Sequence, residues 1–523
     1  MNEDCQYSTL TEPLFSVRGT GGHRRNMSLP EIMAALSGEN LVSFEALQVH
    51  QQQAWYCFLV QLAVIALSRA DQNQLADDAN AWQKMLLSLT DRAETPWALV
   101  VDDLSQPAFL QPPVPEGSLD EAGFKADVET PDELDMLVTS RNHDLKKCRI
   151  AHPRPEHWLY ALVTLQTLEG FLGRGNYGIV RMNGGFANRP LIGMSPELHW
   201  ADRFRRDVAV LRSTRKHLVD EYGYDPTGSA LLWLIPWDGK KSSGIPLTEC
   251  DPLFIEVCRR IRLQKNDGRL RCWRSNTKGP RIAPSDDLHG VTGDPWTPVK
   301  KSEAKALTVG GRGFTYGLLK DILLSGEYVE CPALSPVGLE DDGGFLLATT
   351  VVRGQGKTEG FHHRTVPVPP QAIRLFSTPS EREKLGARAE ARVELAAEMR
   401  RNVLAPALSQ LLNAGKDGDM DWDEARPRLD AFDRSVDDVF FEDLWASLDM
   451  TSQRALRTWF GRLKDFAEQQ LRAAIDSTPI PSVRRYRAIS RAESVFYGSA
   501  RNLRNRRFPQ QEEEAHHEQS VPF

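Results

Sequence analysis

The run Arg353-Gly354-Gln355-Gly356-Lys357-Thr358 follows an apolar segment and ends as a phosphate-binding loop does. A loop of that kind wraps phosphate in backbone N–H groups. It needs an earlier glycine, where this chain has Val351, and a following helix whose N-terminus faces the anion. The chain continues instead as Glu359-Gly360-Phe361-His362-His363-Arg364, which reads as strand or loop. The run is better read as a tight glycine turn that carries Gln355 and Lys357 outward. Glutamine can read base edges and lysine can meet phosphate. His362 and His363 are neighbours on a strand and point to opposite faces, so they read as surface or phosphate-facing residues, not as a metal pair. No G-x-S-x-G, H-E-x-x-H or C-x-x-C spacing occurs. The reading is therefore no catalytic residue, no metal and no cofactor, with a phosphate-handling enzyme built on a degenerate loop as the alternative.

Two other stretches concentrate positive charge. Between residues 481 and 508 there are eight arginines and one glutamate, in a chain of formal net charge -7. Arg484, Arg487 and Arg491 fall at i, i+3 and i+7. Clustered arginine of this kind is the footprint of phosphate neutralisation, and the competing reading is a solvated helix face. Residues 173–190 hold five glycines and three arginines, Arg174, Arg181 and Arg189. They are poor material for packing and read as a second basic site, or as a flexible loop with incidental charge.

The elements that must position these residues fall into two parts. The N-terminal part, residues 1–370, reads as a large, irregular α+β domain. A short strand over residues 10–18 leads to a glycine turn at 19–23. The capping box Ser28-Leu29-Pro30-Glu31 then starts a helix. A long helix is expected over 44–70, with Trp55, Phe58, Leu59, Leu62 and Ile65 in step, and another over 80–89. The proline-rich stretch 106–115 bars helix and central strand, and its Phe109 and Leu110 predict that it is held against the core. Thr130-Pro131-Asp132-Glu133 opens a short helix before residues 139–147, and Pro155 starts an apolar helix to Leu168. Ser195-Pro196-Glu197 caps a further helix. Short apolar runs between 229 and 370, among them 231–237, read as strands.

From Pro379 the pattern becomes helical. Helices are expected over 379–414, 423–448, 452–476 and 482–504, the last with Tyr486, Ile489, Ala492, Phe496, Ala500 and Leu503 as its apolar stripe. Four amphipathic helices with short connections make a four-helix bundle over 379–505, followed by a polar, disordered tail from 509 to 523. A purely structural helical adaptor is a further alternative for such a bundle. Residues 1–13 show no signal-peptide pattern, and the apolar stretch 55–67 is shorter than the about 20 residues a bilayer span needs. The seven cysteines are odd in number, and reduced thiols in a soluble, cytoplasmic protein without membrane partners are expected.

Several of these stretches occur together in a familiar order: LTEPLFSVR with SLPEIMAAL, QPAFLQ, TSRNHDLK, GGFANRP and GQGKTEGFHHR, closed by a helical bundle. In this the chain resembles the large subunit of the type I-E CRISPR Cascade surveillance complex, the CasA family. The resemblance implies a non-catalytic subunit that works with a guide RNA and other Cascade subunits. Such a subunit recognises the protospacer-adjacent motif in double-stranded target DNA, helps open the duplex and recruits a helicase–nuclease. It implies that Gly354, Gln355, Gly356 and Lys357 form the groove-reading turn, with Gln355 as the wedge. Gly173, Gly175, Gly184 and Gly185 would belong to the glycine loop facing that groove, and Lys278 would be its groove-facing lysine. Arg141, Asn142, His143 and Lys146 would contact the guide RNA, and Arg484, Arg487 and Arg491 the DNA backbone. The chain departs from the family in having Gly354 where asparagine is common, in the added charge of Lys357, and in lacking the mid-chain cysteine cluster of some relatives.

Overall fold

The computed structural model describes residues 5–38, 41–135, 150, 152–184, 189–283, 288–354, 357–413 and 422–509. The chain forms two compact units, one of Met1–Phe314 with Gly326–Ile373 and one of Thr315–Ser325 with Arg374–Phe523. The architecture is mixed α and β, with a helical C-terminal region.

The first unit is built around α1 (Leu29–Ser37), α2 (Gln52–Arg69), α3 (Ala79–Ser88), α4 (Pro155–Leu168) and α5 (Trp200–Tyr222). Helix α2 is buried on every face from Gln53 to Leu67, which suits a segment apolar apart from Gln53 and Gln61, the latter donating to the Leu253 and Phe254 carbonyls. It packs against α4 and α5, and Trp55 stacks within 5.5 Å of Phe58 and lies 5.1 Å from Phe15 and 5.2 Å from Tyr160. The capping box at Ser28 forms, its backbone N–H donating to Glu31 Oε2 at 2.7 Å. The proline-rich stretch is held against the core. Phe109 and Leu110 are fully buried, and Gln111 donates to the Leu99 carbonyl at 2.9 Å while accepting from Leu263 N at 2.6 Å.

Several local expectations are corrected. The opening strand spans only Phe15–Gly19, where it pairs with Arg24–Met27 and with Leu41–Phe44. The helix expected from residue 44 begins at Gln52, because Phe44 is drawn into that sheet opposite Val17 and its ring packs against Trp55 and Trp200. The run 231–237 is a strand only through Leu231 and then a 3-10 turn at Leu232–Leu234. There the buried Trp233 indole must reach the Pro96 carbonyl, at 3.1 Å. Pro131–Glu133 makes a single 3-10 turn. Ser195 ends a strand, and α5 starts later, after His199.

In the second unit, α6 (Tyr316–Leu324) is a helix from the middle of the chain, and α7 (Pro370–Phe376) carries the chain from one unit to the other. Helix α8 (Pro379–Glu398) runs through a π-helical stretch at Met399–Leu404 into α9 (Ala405–Leu412). The widened turn accommodates Pro406, which has no N–H to donate to the preceding turn. Then follow α10 (Trp422–Ala446), α11 (Ser452–Ser477) and α12 (Ser482–Arg507). Leu429, Phe432, Val436 and Phe440 of α10, Trp459, Leu463 and Leu471 of α11 and Ala492, Phe496 and Leu503 of α12 are all buried; α10 packs on α11, with Phe440 against Trp459, and α12 packs on α9 and α11. In the same unit Arg392 is 1% exposed, donates to Ser447 Oγ at 2.5 Å and lies 3.4 Å from Asp443 Oδ1. Helix α6 joins this bundle: the Tyr316 ring lies 4.6 Å from Phe440 and Lys320 pairs with Glu390. The apolar stripe expected on α12 is shifted. Ala488, Ala492, Phe496, Ala500 and Leu503 are buried, while Tyr486 is 86% exposed, because two residues turn a helix by about 200° and Ala488 faces the core instead.

Candidate nucleic-acid interface

The turn at 354–357 sits at the tip of a long hairpin. Strand Gly344–Gly354 pairs antiparallel with Lys357–Val368, ending with Arg353 opposite Thr358 and Gly354 opposite Lys357. Eleven- and twelve-residue strands give the tip a rigid stem. Gln355 and Gly356 themselves lie outside the described residues, as does the side chain of Lys357. A strand follows the turn, where a phosphate-binding loop requires a helix N-terminus. His362 and His363 point to opposite faces. His363 is exposed, and the ring of His362 packs against Gly313.

The first strand of the hairpin also pairs with Leu191–Ser195, Thr349 lying opposite Leu191. The glycine-rich stretch 173–190 thus runs directly into the hairpin's own sheet. Its first turn closes with Asn176 N donating to the Gly173 carbonyl at 2.9 Å and Leu172 N to the Asn176 carbonyl at 2.9 Å. Gly175 has φ +89°, and a Cβ there would lie 2.9 Å from Asn276, so only glycine fits both the backbone angle and the space. The Gly175 carbonyl accepts from Thr277 N at 3.0 Å. This brings Gly175 beside the loop that carries Lys278, whose own N–H donates to the Gly239 carbonyl at 2.7 Å and whose side chain is exposed. Gly173 and Gly184 also have positive φ, whereas Gly185 lies outside the described residues.

The stretch is anchored by charges that sequence reading assigned otherwise. Arg181 and Arg189 are 3% and 1% exposed and are not surface groups. Arg189 makes a bidentate contact with Asp294, at 2.5 and 2.8 Å. Arg181 lies 3.7 Å from the same carboxylate and stacks 3.8 Å over the Phe254 ring. The second basic site expected here therefore reduces to the exposed Arg174, because the other two arginines are consumed by a buried aspartate over a hundred residues away in sequence. Glu256 accepts from Val180 N at 3.0 Å, and burial pushes its carboxyl up to about 7 although Arg181 lowers it.

At the base of the stretch, Arg259 donates to the Gly170 carbonyl at 2.8 Å and to the Tyr177 carbonyl. It lies 3.6 Å from the buried Glu169, whose carboxyl burial also raises to about 7, against the opposing charges of Arg353 and Arg259. Arg353 is the root of the hairpin tip, so this carboxylate feels both the tip and the glycine loop. No sequence signal marked Glu169, Glu256, Arg259 or Asp294.

The guide-RNA candidates Arg141, Asn142, His143 and Lys146 lie outside the described residues. In the second unit, Arg484 and Arg487 are exposed on the first turns of α12 and Arg491 is half-buried. At the end of the same helix Arg506 and Arg507 are drawn into ion pairs, both with Glu398 and Arg507 also with Glu394. Among the described residues no cluster of His, Cys, Asp and Glu could hold a metal, and no helix is long and apolar enough to cross a membrane.

The fold is that of the Cse1/CasA proteins. The chain matches CasA of Thermus thermophilus over 95% of its length and 100% of that chain, with 15% identity and a TM-score of 0.62. It matches Cse1 of Thermobifida fusca over 95% of its length and 98% of that chain, with 14% identity and a TM-score of 0.63. A chain of a CRISPR RNA-guided surveillance complex matches with 14% identity, 94% and 100% coverage and a TM-score of 0.53. Neither a protein-family model nor a curated protein matches the chain. The resemblance read from short loop motifs thus extends to the fold of the whole chain.

Proposed function

We propose that this chain is the non-catalytic large subunit of a type I-E CRISPR RNA-guided complex, working in the cytoplasm with a guide RNA and companion subunits. The observation that carries this reading is a Cse1/CasA fold spanning 95% of this chain and nearly the whole of each matched chain. In this reading the hairpin tip, Gly354 to Lys357, enters the minor groove beside the protospacer-adjacent motif. Gln355 acts as a wedge: a side chain inserted between base pairs unstacks them and starts duplex opening. Gly173, Gly175, Gly184, Gly185 and Lys278 line the same groove. Support comes from the rigid stem beneath the tip and from the contact between the Gly175 and Lys278 loops. Arg141, Asn142, His143 and Lys146 hold the guide RNA, and Arg484, Arg487 and Arg491 neutralise DNA phosphates. The helicase–nuclease that destroys the target is recruited by the complex once DNA is bound.

The test is reconstitution. The chain is expected to co-purify with guide RNA and companion subunits, and Gln355→Ala is expected to slow opening of matched linear duplex while leaving assembly intact. An unchanged opening rate would refute the wedge. Reversal of Arg484, Arg487 and Arg491 to glutamate is expected to weaken DNA binding by the complex and to flatten its salt dependence. Unaltered DNA affinity would instead favour a bundle that binds protein alone.

A further inference from the structure

Behind the hairpin lies a cleft of about 280 Å³ whose floor is the hairpin sheet and whose walls are the start of α2 and the first turns of α5. Three observations concern what it holds. Gln53 lines it and is 8% exposed, yet among the described residues neither its amide nitrogen nor its amide oxygen has a hydrogen-bond partner. A buried amide left unsatisfied costs about 1–3 kcal/mol, so a donor and an acceptor are both waiting there. Arg203, also in the wall, stacks 4.3 Å over the Tyr56 ring and has no carboxylate partner among the described residues. The acid beside it, Asp207, is already committed to Arg206, the Tyr56 hydroxyl and the Trp296 indole. At the mouth, Val49 and Leu198 are 56% and 50% exposed, among the most exposed large apolar side chains of the first unit.

We propose that this cleft docks an extended polypeptide segment of a companion subunit. The segment seats one apolar side chain between Val49 and Leu198, offers a main-chain peptide group to Gln53 and presents a carboxylate to Arg203. A peptide group supplies one acceptor and one donor, the complement of the two free ends of a glutamine amide. A cavity of about 150 Å³ suffices for a benzene ring, so this one accommodates a single aromatic or branched side chain with adjoining main chain. A nucleic acid fits less well. The mouth sets Val49 and Leu198 beside the uncharged Gln52 and Thr365 and the ring of His363, and among the described residues Arg203 is the one arginine or lysine lining the cleft without a carbonyl or carboxylate partner, whereas a backbone track needs several. The floor includes Leu347, Thr349, Phe361 and His363 of the hairpin that bears the Gly354 to Lys357 tip. Occupancy therefore steadies that tip, tying assembly to motif reading. The identity of the partner as a companion subunit rests on the function proposed above.

The test uses the full chain and a purified sub-complex of guide RNA and companion subunits from which this chain is omitted. Leu198→Glu, on the exposed rim, and Arg203→Glu are each expected to weaken binding to the sub-complex by about tenfold or more, the scale of losing an interface anchor. A benzophenone amino acid at position 49 is expected to cross-link to a polypeptide of the sub-complex. Unchanged affinity of both variants, or cross-linking to the guide RNA, overturns the proposal while leaving the proposed function standing. Failure of the unaltered chain to bind the sub-complex at all overturns both.

Discussion

Glu256 makes the buried electrostatics of the first unit measurable. Its carboxyl is raised from 4.5 to about 7 by burial, against the opposing charges of Arg181, Arg189 and Arg281. At about 1.4 kcal/mol for each tenfold change in proton affinity, that rise corresponds to about 3 kcal/mol. The folded protein keeps this proton at pH values where the unfolded chain has lost it. The associated stability is therefore complete below about pH 4.5 and is lost as pH rises through about 7. Glu256→Gln removes the titration but preserves an oxygen for the Val180 N–H, which the carboxylate receives at 3.0 Å. Urea unfolding of the two proteins, followed by tryptophan fluorescence between pH 5 and 8.5, isolates the effect because every other titration is common to both. The stability of the glutamine variant relative to the unaltered protein is expected to rise by about 3 kcal/mol across that range, from near pH 5 to above pH 8. A difference that stays constant with pH would refute the reasoning, since Glu256 would then be ionised throughout.

Asp294→Ala is expected to destabilise the first unit by about 3–5 kcal/mol in the same unfolding assay, because it strands two buried guanidiniums and the N–H groups of Trp296 and Thr297. Phe496→Ala is expected to cost about 3–5 kcal/mol as a cavity in the bundle core. Tyr486→Ala, on the exposed turns of the same helix, should stay within about 0.5 kcal/mol, and calorimetry of the two variants checks the contrast.

What the sequence determined by itself was periodicity and chain breaks, which are encoded at short range. The helical spacing of Trp55, Phe58, Leu59, Leu62 and Ile65 placed α2 in the core. Prolines at 479 and 481 divided α11 from α12, and the glycine turn between two strand-forming runs placed residues 354–357 at a hairpin tip. Tertiary structure decided whatever depended on a distant partner. Arg181 and Arg189 look like surface cations in a glycine loop until Asp294 folds beneath them. Tyr486 continues the expected apolar stripe of α12, but the helix docks through Ala488 and leaves the tyrosine ring in solvent. Helix α6, short and embedded among strand-forming segments, joins the bundle through Phe440 and Glu390. Periodicity reports which face of a segment avoids water, because that follows from the segment's own geometry. Which charge is neutralised, and which apolar residue finds a wall to pack against, depends on groups that the chain brings together only when it folds.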